Sequence, residues 1–537
     1  MASYSSQSLD HLGLVSGMCK EIDVAQIIDN ATPAQSPNKH ISYGKLVEAM
    51  ILNGLGFVGR TLHMYPEFFE ERPVERLLGQ GIKAEHINDD ALGRCLDQLY
   101  ETGVSELYQQ LSVSVVKHLN LPCEGLNLDS TSFHLDGEYI HEEDSKAIHI
   151  TRGYSRDHRP ELNQVILNLI TENKAGIPLY MQAASGNTND HEGFKQIVKH
   201  HLSSMKAAQN NHYFIGDSAL YVAETIQSLD QQGQLFVSRA PQKLKAVRQA
   251  ISEQNTLNFT QLENGYSGAW LKMNYGDVEQ RWLLVHSEQA QKSELKTLDK
   301  KMLRESNAAC KSFKKLTRQR FSCPSDAVGA LTIWKKANPC IELSDVDTTE
   351  HGIFKQSGRP KKGQEPDSVE YQLTGNLSSS LALRAEQLQQ KGFFMLATND
   401  LSESLTMEKM LDLYKSQQSV ERGFRFLKSP DFLTSSLYLK KPERIEALLM
   451  VMTCCLMIYA ALEYKIRQEL QAQEAYFPDL KYKPSQRPTA RWVFLCFQGI
   501  EVLKIKDEQE RELVLNVKKR NRTIIDCLGS TYQLIYS

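Results

Sequence analysis

The chain lacks an excess of charge of either sign. Its 537 residues carry 62 Lys and Arg against 65 Asp and Glu, a formal net charge of −3. A protein that coats nucleic acid by bulk positive charge is excluded, so any polyanion contact has to come from local patches. None of the ten cysteines forms a C-x-x-C pair, and no histidine pair flanks them at zinc-finger spacing. That disfavours a structural zinc site and leaves reduced intracellular thiols as the expectation. The opening MASYSSQSLDHLGL lacks the charged and long apolar segments of a secretion signal. The most apolar run, Ala447–Leu462, is bounded by Glu446 and Glu463. It falls short of the roughly 20 residues that a membrane span needs. A buried helix, in a soluble cytoplasmic protein that does not engage a membrane, is the expected outcome.

What is present changes texture along the chain. Residues 1–118 read as a helical domain for DNA binding or dimerisation, with helical apolar spacing over Ile41–Leu52, Asp89–Glu101 and Gly103–His118. Leu126–His134 alternates as a strand does. Two more strand-like runs follow, Leu162–Thr171 and Ile177–Ala184, separated by a short turn that suggests a hairpin. His191–Ala208 reads as helix, Tyr213–Ile215 as a buried strand, Ser218–Leu229 as helix and Leu235–Val237 as strand. Three antiparallel strands, then two more joined through helical crossovers, match a ribonuclease-H-like core: an α/β fold with a mixed five-stranded sheet and helices. Its first part occupies 119–242.

An insertion domain of strands and a long basic helix then interrupts the core over 243–392. Within Gln291–Arg320 there are ten Lys or Arg against three Asp or Glu. Such a run is ordinarily a solvated helix face, but its single sign suits a polyanion. Phe393–Ala397 returns to strand texture, and the core's second part extends over 393–470. Residues 471–537 are left as a C-terminal tail.

The second part of the core carries LYKSQQSVERGFRFLK, Leu413–Lys428, which reads as one helix. Leu413, Val420, Phe424 and Leu427 form its apolar stripe. Tyr414, Gln417, Glu421, Arg425 and Lys428 share the neighbouring face. Alone, this is a surface helix with an intrahelical ion pair. Two aspartates elsewhere alter that reading. Asp129 lies in the first strand on its less apolar face, and Asp217 follows a buried strand directly. Taken singly, one could be a hydrogen-bonded strand residue and the other a helix cap. Neighbouring strand ends are where open α/β sheets place their sites. Three converging carboxylates, Asp129, Asp217 and Glu421, repel one another unless a cation offsets the cost. Oxygen donors with open positions suit Mg²⁺ or Mn²⁺. Two such ions about 3.5–4 Å apart activate an attacking oxygen and stabilise a leaving one in phosphoryl transfer.

Several blocks now resemble bacterial insertion-sequence DDE transposases, in the group named for a tyrosine–arginine–glutamate–lysine signature. Tyr414, Gln417, Glu421 and Lys428 keep the signature's spacing, with Gln417 where the arginine stands. LDSTSFH around Asp129, GYSRDHRPELNQV at 153–165, SGNTNDHEGF at 185–194, GDSALY around Asp217, FVSRAP at 236–241 and LKKPERIEAL downstream fall in family order. The resemblance covers residues 120–460. It implies a cut-and-paste enzyme that cleaves element ends and joins them to target DNA, with Asp129, Asp217 and Glu421 catalytic and metal-binding. It implies double-stranded DNA partners, terminal inverted repeats and target, and a homodimer that pairs two ends in a bacterial cytoplasm, at the nucleoid when on DNA. Tyr414 and Lys428 would contact phosphates, and Arg422 or Arg425 are the candidates to replace the missing arginine.

Arg156, His158 and Arg159, with Arg152 and Asp157, form a polar loop that either touches DNA over the metal site or makes a surface Arg–Asp turn. In relatives the insertion domain assists a hairpin on the DNA end and holds a flipped base. Trp270, Trp282 and Trp334 are the stacking candidates, each read first as core. Two other functions remain: a metal-dependent nuclease without joining, and a silent DNA-binding regulator, which would be expected to have lost a carboxylate.

Overall fold

The computed structural model describes residues 3–537 apart from 36–38, 58–63, 140–145, 156–158, 190–196, 198–212, 356–362, 430–438 and 507–509. It divides into two units. Unit 1 comprises Met1–Arg239, Asn274–Gln280 and Thr398–Ser537, and unit 2 comprises Ala240–Met273 and Arg281–Ala397.

Among the described residues, unit 1 opens with β1 (Ser3–Ser8), α1 (Leu12–Glu21), α2 (Val24–Ala31), α3 (Tyr43–Leu55), α4 (Tyr65–Glu70), α5 (Val74–Leu78), α6 (Asp89–Thr102) and α7 (Val104–Leu119). Then come β2 (Gly125–Leu135), β3 (Asn163–Glu172), β4 (Pro178–Ser185), β5 (Tyr213–Gly216), α8 (Ala223–Gln231) and β6 (Leu235–Ala240). The expected helix over His191–Ala208 lies, Ile197 aside, outside the described residues.

The sheet of unit 1 runs β4-β3-β2-β5-β6. β2 pairs antiparallel with β3, and β3 with β4. β5 joins β2 in parallel, and β6 joins β5 in parallel. The β3–β4 hairpin is fixed by its own turn. The Glu172 carboxylate accepts from the backbone N–H groups of Lys174 at 2.9 Å and Ala175 at 2.6 Å. Gly176 closes that turn at φ +68°, a conformation that side chains with a Cβ avoid. β2 departs from simple alternation: all but Asp129 and His134 are buried along it. Its polar residues, Asn127, Ser130, Thr131 and Ser132, are therefore covered, because helices pack over the strand that β3 and β5 already flank.

In unit 2 the elements are α9 (Lys245–Ser252), β7 (Thr260–Gln261), β8 (Tyr266–Tyr275), β9 (Val278–Ser287), α10 (Glu288–Leu316), α11 (Pro324–Ala337), β10 (Ile341–Ile353), β11 (Ser368–Ser379), α12 (Leu381–Gln389) and β12 (Phe393–Thr398). The long basic helix is α10, started by Ser287, whose hydroxyl oxygen accepts from the Ala290 N–H at 3.3 Å. All ten Lys and Arg of Gln291–Arg320 are exposed. The helix reaches a core at its C-terminal end, where Ala309, Phe313 and Leu316 meet Ala327, Leu331 and Trp334 of α11 and Leu373 of β11.

Unit 1 resumes with α13 (Met407–Lys415), α14 (Gln418–Leu427), α15 (Pro442–Ala472), β13 (Phe477–Pro478), β14 (Pro484–Ser485), α16 (Ala490–Cys496), β15 (Glu501–Lys506), β16 (Glu510–Leu515), α17 (Lys519–Leu528) and α18 (Ser530–Ile535). α15 extends the apolar run to 31 residues, long and apolar enough in composition to cross a membrane. Yet 83% of its most apolar window is buried inside the protein. It packs against α1, α3, α6, α7, α14 and α17, so its apolar residues form the centre of the helical part of unit 1. α6 shows why its neighbours fold: Asn88 caps it by accepting from the Ala91 N–H at 3.0 Å. Leu92, Cys95, Leu96 and Leu99 then bury one stripe.

Two elements correct the sequence reading. Residues 1–118 are not helical throughout, since β1 pairs antiparallel with β15, Ser3 opposite Lys506 and Ser8 opposite Glu501. Residues 471–537 are not an extended tail but carry three helices and four strands among the described residues. A second tie joins the same regions. Lys465 Nζ lies 2.7 and 2.6 Å from the two Glu21 carboxylate oxygens, and the Tyr532 hydroxyl donates to Glu21 at 2.8 Å.

Candidate active site

The candidate site lies across three neighbouring strands of unit 1, at the carboxyl end of β5, near that of β6 and at the middle of β2. β2 and β5 are in parallel register with Leu128 opposite Gly216. β5 and β6 are in parallel register with Gly216 opposite Ser238. One residue further along each strand stand Asp129, Asp217 and Arg239. Register alone thus sets two carboxylates and a guanidinium side by side.

Each aspartate is held locally. Asp129 is partly exposed, and its Oδ1 accepts from the Ser130 N–H at 2.8 Å. Asp217 Oδ1 accepts from the Ala219 N–H at 2.8 Å, closing an Asx-type turn. Its carbonyl accepts from the Ser238 hydroxyl at 2.8 Å, which ties the end of β5 to β6. α8 starts at Ala223 rather than Ser218, so Asp217 is not a helix cap. Five residues of turn separate it from the helix, leaving the strand end open.

The expected single helix over Leu413–Lys428 is two helices, α13 and α14, meeting at Ser416 and Gln417. The join keeps helical backbone angles but tightens its hydrogen bonds: Gln417 N–H reaches Tyr414 O at 3.2 Å, and Val420 N–H reaches Gln417 O at 3.1 Å. Ser416 marks the join, its Oγ 3.0 Å from Asn127 Oδ1 and 2.6 Å from Leu413 O. Asn127 lies two residues before Asp129, on the same face of β2. The helix pair is therefore laid on the face that carries Asp129.

The apolar stripe anchors it there. Leu413 is 4% exposed, Val420 and Leu427 are fully buried, and Phe424 is 6% exposed. Each such side chain contributes roughly 1.5–3 kcal/mol on burial. α14 rests on β2 and β3, and α13 on β5. Gly423 faces α15 where an added Cβ would meet Leu456 Cδ2 at 3.0 Å, so the small residue lets the two helices approach.

Glu421, Arg422 and Arg425 are consequently exposed, while Gln417 is buried at 9% exposure. Lys428 ends α14 with its Nζ 5.9 Å from the centre of the Phe133 ring of β2. Tyr414 connects the two acidic ends. Burial raises its phenol pKa, and an Arg239 hydrogen bond and charge pull it back. The negative charges of Asp217 and Glu421 push it up again. One hydroxyl therefore feels both carboxylates and the guanidinium.

Arg159, predicted on the polar loop, pairs with Glu161 on the surface, and its N–H donates to Ser155 Oγ at 2.9 Å. Arg156 and His158 lie outside the described residues. Of the three tryptophans, Trp282 is fully buried. Trp334 is a core residue whose Nε1–H donates to Ser312 Oγ at 2.8 Å. Trp270 is half-buried beneath the Arg281 guanidinium, 3.9 Å from the ring centre. Arg239 was not among the site residues expected from the sequence. The signal for it was available: it follows the apolar run Leu235–Val237 at the same strand end as Asp217 follows Tyr213–Ile215.

A divalent cation fits this site by its donors. Asp129, Asp217 and Glu421 offer oxygen alone, which Mg²⁺ and Mn²⁺ prefer, and exposure leaves room for solvent and substrate oxygens. Among the described residues, no group of three acidic, histidine or cysteine side chains is placed to hold a metal ion, so the three carboxylates are not gathered around one point in this structure.

A profile described as "Transposase DDE domain" matches residues 124–458, more than half of the chain. The chain belongs to the DDE transposase family. As a DDE transposase it is a DNA-cleaving enzyme, and Asp129, Asp217, Glu421 and Arg239 all fall within the matched span. Residues 4–113 match a domain of unknown function, DUF4277. Comparison with curated proteins gives no match. Among solved structures, the transposase is similar to piggyBac transposase in a synaptic complex with hairpin DNA, determined by cryo-electron microscopy. The TM-score is 0.38 and the identity 9%, over 92% of this chain and 82% of that one.

Proposed function

We propose that this DDE transposase moves a bacterial insertion sequence by cut-and-paste, and that it belongs to the tyrosine–arginine–glutamate–lysine signature group. The observation that carries the reading is the strand-end register of Asp129 beside Asp217, with the helix of Glu421 laid on the same face. In this reading the sheet of unit 1 is a ribonuclease-H-like core, and residues 243–392 are its insertion domain.

Asp129, Asp217 and Glu421 hold Mg²⁺ or Mn²⁺. When bound, the ions supply Lewis-acid activation of the attacking oxygen and stabilisation of the leaving one. Cutting is hydrolysis of a phosphodiester at the element end, which leaves a 3′-hydroxyl. Joining is transesterification, in which that hydroxyl attacks a target phosphodiester and displaces a target 3′-oxygen. No protein nucleophile is needed. Tyr414 orients a phosphate by hydrogen bonding, and Lys428, Arg422 and Arg425 add positive charge along the strand. The DNA partners are the terminal inverted repeats and the target, held by a homodimer that pairs the ends, in the bacterial cytoplasm and on the nucleoid.

The test uses a plasmid carrying the gene with its own flanking sequence on both sides. Purified protein and Mg²⁺ release the element and insert it elsewhere. Asp129→Asn, Asp217→Asn and Glu421→Gln each lower both steps by roughly a thousandfold or more, while a shift assay shows DNA still bound. Cutting without insertion identifies a nuclease. Undiminished cutting by all three variants removes the triad.

A further inference from the structure

The hairpin of β13 and β14 lies outside both matched spans, 4–113 and 124–458. Its base is held firmly. Phe477 is fully buried and pairs with Ser485, and Pro478 pairs with Pro484. The Trp492 indole donates to Pro478 O at 2.7 Å, the Gln486 amide to Leu470 O at 3.1 Å, and Arg467 Nε to Pro488 O at 2.9 Å. The tip, 479–483, is held as well. Asp479 Oδ1 accepts from the Lys481 and Lys483 N–H groups, each at 2.8 Å, and the Asp479 N–H donates to Lys483 O at 2.8 Å. The Tyr482 N–H donates to Asp479 O at 2.9 Å, with Tyr482 at φ +59°. A bulky side chain rarely adopts that conformation, and glycine or asparagine would close the same turn more readily. On this mount Leu480 is 73% and Tyr482 79% exposed, with Lys481 and Lys483 exposed beside them. The turn is made by the backbone and Asp479, so the fold does not account for two apolar side chains held in water. Residues 476–491 carry four Lys or Arg against one Asp. β13 packs on α17, where residues 518–522 add four Lys or Arg and no acid. In a chain of net charge −3 this is a local positive surface.

We infer that this tip is a DNA-binding finger, separate from the carboxylate site, that seats in a groove of duplex DNA. Lys481 and Lys483 neutralise phosphates of the groove walls, and Leu480 and Tyr482 press as an apolar wedge against the bases between them. The inference rests on the transposase reading for its choice of polyanion. A groove suits the tip because it offers an apolar floor of base edges between two rows of negative charge. A tip already fixed by its own hydrogen bonds loses little freedom when it binds. Element end and target share this chemistry, and the test separates them.

Binding of the full chain is measured over a range of salt with two duplexes, one cut from the sequence flanking the gene and one of unrelated sequence that stands for target. Lys481→Gln with Lys483→Gln should make the slope of log Kd against log salt shallower by roughly 1.8, about 0.9 for each phosphate given up. Leu480→Ser with Tyr482→Asn should weaken binding by about tenfold and leave the slope as it is, because the lost contact is apolar. Asparagine tolerates the turn's φ, so the unfolding temperature of that variant should hold. A lower unfolding temperature with DNA binding kept would make the tip a structural element only, and overturns the inference. Weaker binding of the flanking duplex alone assigns the finger to the element end, of the unrelated duplex alone to the target, and of both to any duplex. Unchanged affinity and slope on both duplexes overturns it. So does loss of self-association in sedimentation with DNA binding kept, which would make the tip a contact between copies. Cutting of the flanking duplex with Mg²⁺ is followed in parallel. If the intact chain does not cut while the tip variants lose binding, the transposase reading fails and the finger stands. If it cuts and the tip variants bind as before, only the finger fails.

Discussion

Units 1 and 2 differ in how they bury their chain. In unit 1, α15 alone buries seventeen residues, and the ends of the chain close upon it through β1–β15 and the Glu21–Lys465–Tyr532 tie. In unit 2, the strands of the β10–β11 hairpin bury one residue, and α10 buries four residues of its 29. The proposed catalytic groups of unit 1 thus sit on a deeply packed sheet, which is what phosphoryl transfer needs of its positioning groups. Unit 2 presents a long charged surface supported by a small core, an arrangement suited to contact rather than to chemistry.

That contrast can be broken at its largest element first. Trp334→Ala removes the biggest side chain of the small core and leaves Ser312 without its indole donor. Unit 2 should lose roughly 3–5 kcal/mol, seen as early proteolytic cleavage within 281–397 while the helices around α15 stay protected. Simultaneous loss of both regions would show that the units do not unfold separately.

Lys465→Met leaves Glu21 with the Tyr532 hydroxyl and His118 Nε2, 3.3 Å away, and removes a pair whose side chains are only 13% and 12% exposed. Unit 1 should lose about 3 kcal/mol, and hydrogen exchange should rise first in α18. Unchanged exchange there would mean that the tie contributes little.

Glu446 sharpens the comparison with pH. Burial, reinforced by Glu443 and Glu106 and opposed by the Ile148 N–H, raises its carboxyl from the usual 4.5 to about 7. A raised folded value means that the cost is absent below pH 4.5, grows between 4.5 and 7, and is complete above. It amounts to on the order of 3 kcal/mol. Glu446→Gln should therefore stabilise unit 1 at pH 8 and leave it unchanged near pH 4.5. A gain of equal size at both would show that packing, not charge, was altered.

The smallest effect on stability is expected on α10. Replacing Lys296, Lys300, Lys311 and Lys314 by Gln should move unfolding by no more than about 0.5 kcal/mol, since all four are exposed. If the helix meets DNA, the salt dependence of binding becomes shallower, by roughly 0.9 in slope for each phosphate that is no longer neutralised. An unaltered slope assigns the charge to solvent alone.

How much was legible follows from range along the chain. The strand around Asp129, the buried strand before Asp217, the apolar stripe of Leu413, Val420, Phe424 and Leu427 and the basic run of α10 all announce themselves in one continuous stretch of chain. The β1–β15 pairing joins SYSSQS to a strand about five hundred residues away, and SYSSQS has no apolar period to reveal it. The break at Ser416 was equally hidden, because every residue across it keeps helical angles and the Asn127 that Ser416 meets on β2 lies far away in the chain.

By itself the sequence determined which side chains could do chemistry and which local segment carries each, since periodicity and residue type are properties of neighbours in the chain. Only the tertiary structure decided which of them meet. Strand register set Arg239 next to Asp217, and the burial of one helix stripe turned Gln417 inward and Glu421 outward. Register and packing are chosen by the hydrogen bonds and buried surface of the whole unit, which no single stretch of residues contains.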